Sequence, residues 1–247
     1  MAFGNGPRIV SDGLVFALDA ADRNSYPGSG NTWNNIAGGG YTATFVNGIS
    51  YTSSLNQGIL ATNTTSSYIE IAGSTSNNDN AWTADNTIGS NTVCFEVWIK
   101  TTDGSGWILS KPWNGAGQYN MTITNGAWTV MVATNTSSTI NFANAINNNI
   151  WRQIVVWANS TQIGYYLDGG LHSGSQNHGL TGGVGSSGNA TLPLILMTLY
   201  PYGQGASIPD GFTIFPGNVA IFKKYNRVLT ASEVLQNYNA QKSRFGL

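Results

Sequence analysis

TVCFEVWIKT, residues 92–101, places Val93, Phe95, Val97 and Ile99 on one side and Cys94, Glu96, Trp98 and Lys100 on the other. This period of two is the signature of a β-strand, and its apolar set predicts a strand with one fully buried face. The pattern recurs in both directions along the chain. QYNMTIT (118–124) puts Tyr119, Met121 and Ile123 in phase, and AWTVMV (127–132) does the same with Trp128, Val130 and Val132. Asn125-Gly126 between them predicts an antiparallel hairpin, because both central residues of a type I′ turn require positive φ. WRQIVVWANSTQIGYYLDGGL (151–171) repeats the arrangement, with a polar turn near Asn159 and Ser160 and a tight one at Asp168-Gly169.

GLVFALD, SYIEIA, GWILS, LPLILMTL and NVAIFKKY add further strands, separated by loops rich in Gly, Ser and Asn, the longest being residues 173–191. With no Pro-rich linker, composition break or fixed repeat, the chain reads as one domain over 12–247, preceded by an arm at 1–11. Many antiparallel strands without interleaved helices predict an all-β fold, a two-sheet antiparallel sandwich of jelly-roll type. One helix closes the chain, expected over 230–245. Thr230 and Glu233 form a T-x-x-E capping box, Ala231, Val234, Leu235 and Tyr238 form an apolar stripe, and Gly246 stands at the terminating position.

Charged residues make up 9% of the chain, against about 25% in ordinary soluble domains. Solubility therefore rests on Asn, Ser, Thr and Gly, a surface suited to packing in an assembly or to facing sugars. A net charge of -1 with no basic stripe excludes nucleic acid as an expected partner. No run approaches the length of a membrane span, and MAFGNGPRIVSDG lacks the charged and apolar regions of a signal peptide. The expectation is a protein made and kept in the cytosol unless released by lysis. Accordingly, the N-x-S/T sequons at Asn63, Asn120, Asn135, Asn159 and Asn189 are read as products of composition. Cys94, the single cysteine, is expected to be a buried small side chain.

The segment order CFEVWIKT, WILSK, YNMTITNGAW, IWRQIVVWANSTQIGYYLDGGL and GNVAIFKKYNRVLTASEV resembles the laminin-G-like branch of the concanavalin-A-like lectin/glucanase superfamily. The flanking stretches, GLVFALDAADRNSYPGSGNTWNNIAGGGYTATFVNG and YNRVLTASEVLQNYNAQKSRFGL, are similar to laminin-G-like virion structural proteins of tailed, cyanophage-type bacteriophages. This resemblance implies a structural protein of the virion, a surface or capsid decoration module, assembled in host cytoplasm, with other virion proteins of capsid or tail as partners and a homo-oligomeric state. Its lectin-like fold implies adhesion to host surface polysaccharide. The alternative it admits is a carbohydrate-binding module of a tail or receptor-binding apparatus.

Glycoside hydrolysis needs two carboxylates flanking the bond, and the E-x-D-x-x-E set of the glucanase branch is missing here, so no enzyme is expected. His172 and His178 stand in the Gly/Ser-rich loop without the companions of a zinc site. No cofactor is required; calcium is the one the resemblance admits. Asp19 matches the family's first calcium position, whereas Asn218 replaces an acid at the second, and the competing reading of Asp19 is a turn cap. For sugar recognition the candidates are aromatics assigned to loops: Trp82, Trp107, Trp113, Tyr200 and Tyr202. Trp98, Trp128, Trp151 and Trp157 are assigned to packing within strands.

Overall fold

The computed structural model describes residues 8–38, 41–53, 58–62, 67–71, 92–110, 118–124, 127–133, 137–171, 176–177, 194–198 and 214–247. Val93–Thr101 is a strand as its alternation demands, and it lies at the centre of a nine-stranded antiparallel sheet. The order across that sheet is β14 (Gly170–Leu171), β13 (Gln162–Leu167), β12 (Arg152–Ala158), β7 (Val93–Thr101), β17 (Gly217–Tyr225), β5 (Ile59–Thr62) and β4 (Ile49–Thr52). Two strands lie off this path: β1 (Leu14–Asp19) pairs with β17, and β15 (Gln176–Asn177) with β13. The second sheet has eight strands. They run β11 (Ser137–Ala145), β10 (Ala127–Ala133), β9 (Gln118–Thr124), β8 (Gly106–Ser110), β16 (Leu194–Leu196), β6 (Tyr68–Ile71), β3 (Thr42–Val46) and β2 (Thr32–Asn34).

The sheets form a sandwich around one large apolar cluster. Phe16, Leu18, Phe95, Val97, Ile99, Ile154, Val156 and Phe222 enter it from the first sheet, and Trp33, Phe45, Ile69, Ile71, Leu109, Leu194 and Leu196 from the second. Burial of such side chains contributes about 1.5–3 kcal/mol each and is the main force holding the layers together. The hairpins follow their turn chemistry. Asp168 and Gly169 have φ of 52° and 77°, and Asn159 Oδ1 accepts the amides of Thr161 and Gln162. Thr124 faces Ala127 across β9 and β10, while Asn125 and Gly126 themselves lie outside the described residues.

In one respect β7 departs from expectation: its second face is buried as well. Cys94, Glu96 and Trp98 are all 0% exposed. The cause is the C-terminal helix α1 (Ala231–Gln241), continued by a 3-10 turn at Lys242–Phe245, which lies over this outer side of the nine-stranded sheet. Trp98 stacks between Tyr238, ring centroids 5.8 Å apart, and Phe245, 4.5 Å apart. Cys94 is the buried side chain expected, and burial pushes its thiol up to about 12, out of nucleophilic range.

The helix starts and stops where its sequence says. Glu233 N donates to Thr230 Oγ1 at 3.3 Å, Thr230 N donates to Glu233 Oε2 at 2.8 Å, and Gly246 takes φ 76°. Its inward face differs from the expected stripe. Ala231 and Leu235 are exposed, and the buried positions are Val234, Asn237 and Gln241. The sheet beneath decides this. Glu96 and Lys223 form an ion pair of 3.1 Å with side chains 0% and 3% exposed, and buried charges need hydrogen-bond partners. Asn237 Nδ2 donates to Glu96 Oε2 at 2.7 Å, Lys223 Nζ to Gln241 Oε1 at 3.0 Å, and Gln153 Nε2 to Glu96 Oε1 at 3.0 Å. The chain start joins the same cluster. Val10 N donates to Asn237 Oδ1 at 2.7 Å and Gln236 Nε2 to Arg8 O at 2.8 Å, so residues 8–10 of the expected arm pack on this chain's own helix.

Arg227, two residues after β17, holds the helix start in place. Its Nη1 and Nη2 donate to Glu233 at 2.9 and 2.6 Å, and its Nε pairs with Asp12 at 2.8 Å. These bonds from Arg227, supported by those from Thr230, hold the Glu233 carboxyl at about 2, well below its ordinary 4.5. A depressed folded-state value means that the stabilisation is complete above the unfolded value and is lost as pH falls toward the folded one. Acid unfolding should therefore steepen between pH 4.5 and 2. A Glu233→Gln variant should lose that part of the acid limb in circular-dichroism titration, and an unchanged profile would refute the assignment.

Candidate functional site

After β1 the chain turns on itself in a loop fixed by its own polar groups. Ser25 N and Tyr26 N donate to Asp22 O at 2.9 and 2.7 Å, and Asn24 N donates to Asp22 Oδ1 at 2.8 Å. Ser25 Oγ bridges the loop to its neighbours, accepting from Asp19 N at 3.1 Å and donating to Asn34 O at 2.7 Å. The result is that Arg23 projects outward and Tyr26 inward. Tyr26 packs against Phe45 at 5.2 Å and Tyr51 at 4.8 Å, and its hydroxyl donates to Gly30 O at 2.9 Å. Burial first, then proximity to Tyr51, raises the Tyr26 pKa above its ordinary value, so it stays a neutral donor.

This loop, the end of β4 and the residue before β5 form a cleft of about 320 Å³, lined by Ala21, Arg23, Tyr26, Pro27, Gly28, Tyr51, Ser53 and Gly58. Its size is at the lower end of the range for small-molecule sites. Gly58 makes the floor possible. At φ 58° it brings β5 so close to the turn that a Cβ there would stand 2.2 Å from Ala21 N. The polar lining is uncommitted: the Arg23 guanidinium and the Tyr51 and Ser53 hydroxyls carry no hydrogen bond or ion pair among the described residues. Arg152, Arg227 and Arg244, by contrast, each hold a carboxylate.

The family model described as the concanavalin A-like lectin/glucanases superfamily, of laminin-G type, matches residues 73–235. The chain belongs to this superfamily. No curated protein sequence matches it. Among solved structures, this lectin-type sandwich is similar to the botulinum neurotoxin serotype D binding domain (12% identity, TM-score 0.65, 94% of this chain and 53% of that one). It is equally similar to a structure of botulinum neurotoxin type C, whose cell entry is dependent upon interaction with two ganglioside molecules (12%, 0.65, 93% and 52%). The type G receptor-binding domain follows at 15% identity, TM-score 0.62, 93% and 52%. These likenesses are of fold, and the chain spans about half the length of the solved chains it matches. The cleft residues, 21–58, precede the span matched by the family model.

Trp107 lies in β8 opposite Thr122 and is half-buried, a strand residue where a loop aromatic was expected. Trp82, Trp113, Tyr200, Tyr202, His172 and His178 lie outside the described residues. Trp98, Trp151 and Trp157 are buried. Asn218 is half-buried in β17, opposite Ala61 and Lys100. Asp19 is the end of β1, and its carboxylate accepts from Ala21 N at 2.9 Å and from Arg244 Nη1 at 2.7 and 2.8 Å. A guanidinium thus already neutralises the oxygens a calcium ion would need, and as arranged the Asp19 carboxylate does not fit one.

Tyr26, Tyr51, Arg23 and Ser53 were not singled out from sequence. The available signals were local, Tyr26-Pro27-Gly28 as a turn and Gly58 as a position needing open φ, and neither says that residues some 30 apart meet.

Proposed function

We propose that the protein is a non-enzymatic glycan-binding module carried on the surface of a phage particle, with host surface polysaccharide as its ligand. The observation that carries this reading is a cleft where the Arg23 guanidinium and the Ser53 and Tyr51 hydroxyls have no partner among the described residues and the Tyr51 ring stands with them. Sugars are held in this way, an apolar ring face on an aromatic and the hydroxyls on fixed donors and acceptors. Among the described residues neither Asp nor Glu lines the cleft, which favours binding over hydrolysis. Proteins of similar fold include a neurotoxin binding domain and the type C neurotoxin, whose cell entry depends on interaction with two ganglioside molecules, and that supports a lectin role for this sandwich. The virion setting is supported by the two flanking motifs and by a chain in which 9% of residues are charged, so that copies would pack side by side with little electrostatic repulsion. A decoration role also predicts self-association, measurable by sedimentation.

The test is a host-polysaccharide and glycan binding screen, with the hits titrated against a Tyr51→Ala variant. The aromatic contact should account for about tenfold or more in affinity, as a buried interfacial anchor does. A folded Tyr51→Ala protein that binds as tightly as the parent rejects the cleft, and no binding in the screen rejects the lectin reading. With Arg244 on Asp19, a chelator should leave the binding unchanged.

A further inference from the structure

The lining of this cleft also selects among sugars. We propose that its ligand is an acidic glycan, with the carboxylate of a uronic or similar acid sugar taken by Arg23, an inference that rests on the glycan-binding reading above. Arg23 sits on the rim of the cleft with no carboxylate partner among the described residues, in a chain whose charges are few. The neighbouring acids are engaged elsewhere. Asp22 turns back to receive Asn24 N at 2.8 Å, and Asp19 is held by Arg244 at 2.7 Å. The cleft therefore presents a guanidinium with no ion-pair partner among the described residues at one side and hydroxyls, Tyr51 and Ser53, at the other.

A neutral sugar leaves the guanidinium's parallel donors to water. A carboxylate takes two of them at once, a charge-assisted pair with defined geometry. Ser53 and the Tyr51 hydroxyl are then placed for the ring hydroxyls of the same residue, so recognition requires both the acid and the sugar. The floor supports the arrangement, because Gly28, at φ 98°, would bring a Cβ to 3.5 Å from Tyr51 Cε1, and a larger residue would fill the space beside the ring.

The experiment is calorimetric or array titration of the full chain with oligogalacturonate and with its carboxyl-reduced, neutral counterpart. The acid form should bind about tenfold tighter, and the preference should shrink as salt rises from about 0.05 to about 0.5 M. Arg23→Gln should abolish the preference while keeping the residual affinity for the neutral form, and Arg23→Lys should restore part of it. Equal affinity for the two forms, or a preference that survives Arg23→Gln, overturns the inference and leaves the lectin reading standing. Failure of both forms to bind, with other glycans silent as well, overturns the lectin reading itself.

Discussion

Lys223→Met should destabilise the fold by about 3–5 kcal/mol, the cost of leaving one member of a buried ion pair without its partner. The ammonium faces Glu96 Oε1 at 3.1 Å beneath the C-terminal helix, and both side chains are closed to water. Methionine fills the volume of the lysine stem, so the loss is electrostatic rather than steric. Glu96 retains Asn237, Gln153 and Trp98 as donors, all neutral, and Gln241 Oε1 keeps only the Trp98 indole. For a domain of this size each kcal/mol shifts Tm by about 2–4 °C, so a fall of roughly 10 °C is expected in calorimetry. Pairing the change with Glu96→Gln should recover most of the loss, because a neutral amide sits in the same cluster without a charge to compensate. A single variant within about 1 kcal/mol of the parent would show that the pair is hydrated, and would refute the buried network.

Gly58→Ala should be comparably damaging, and should also remove the cleft. The residue has φ 58°, where an L side chain carries a penalty of about 1–2 kcal/mol. The added Cβ would meet backbone, 2.2 Å from Ala21 N and 2.3 Å from Ala20 C, and neither atom can swing aside as a flexible side chain would. Relieving the clash means moving β5 away from the turn after β1, at about a further 1–3 kcal/mol. Glycan binding should fall with stability here, whereas Arg23→Gln should lose selectivity with Tm unchanged. Thermal unfolding and titration of the same samples separate the two, and a Gly58→Ala protein of parental stability would refute the close approach.

The two-sheet sandwich was legible because it rests on a local property. Alternation with a period of two places side chains on opposite faces whatever lies beyond, so TVCFEVWIKT is a strand with Phe95, Val97 and Ile99 turned to the core in sequence and structure alike. The helix boundaries were legible for the same reason. Thr230, Glu233 and Gly246 act within one turn of the backbone they cap. What the helix buries was not legible. An amphipathic stripe assumes an apolar partner, and the partner is a sheet face bearing Glu96 and Lys223, which draws Asn237 and Gln241 inward and leaves Leu235 to solvent.

The candidate site follows the same division. Aromatic residues in loop-like sequence were the natural candidates, yet Trp107 proves to be a strand residue, and the described cleft is built from Arg23, Tyr26, Tyr51 and Ser53. Asp19 was visible as an acid at a strand end, but Arg244, 225 positions along the chain, decides what that acid holds. Sequence by itself determined the elements and their caps, since those depend on neighbours within a few residues. Tertiary structure alone decided which polar groups are satisfied and which are left open at a cleft, because hydrogen bonds and ion pairs act over about 3 Å of space irrespective of separation along the chain.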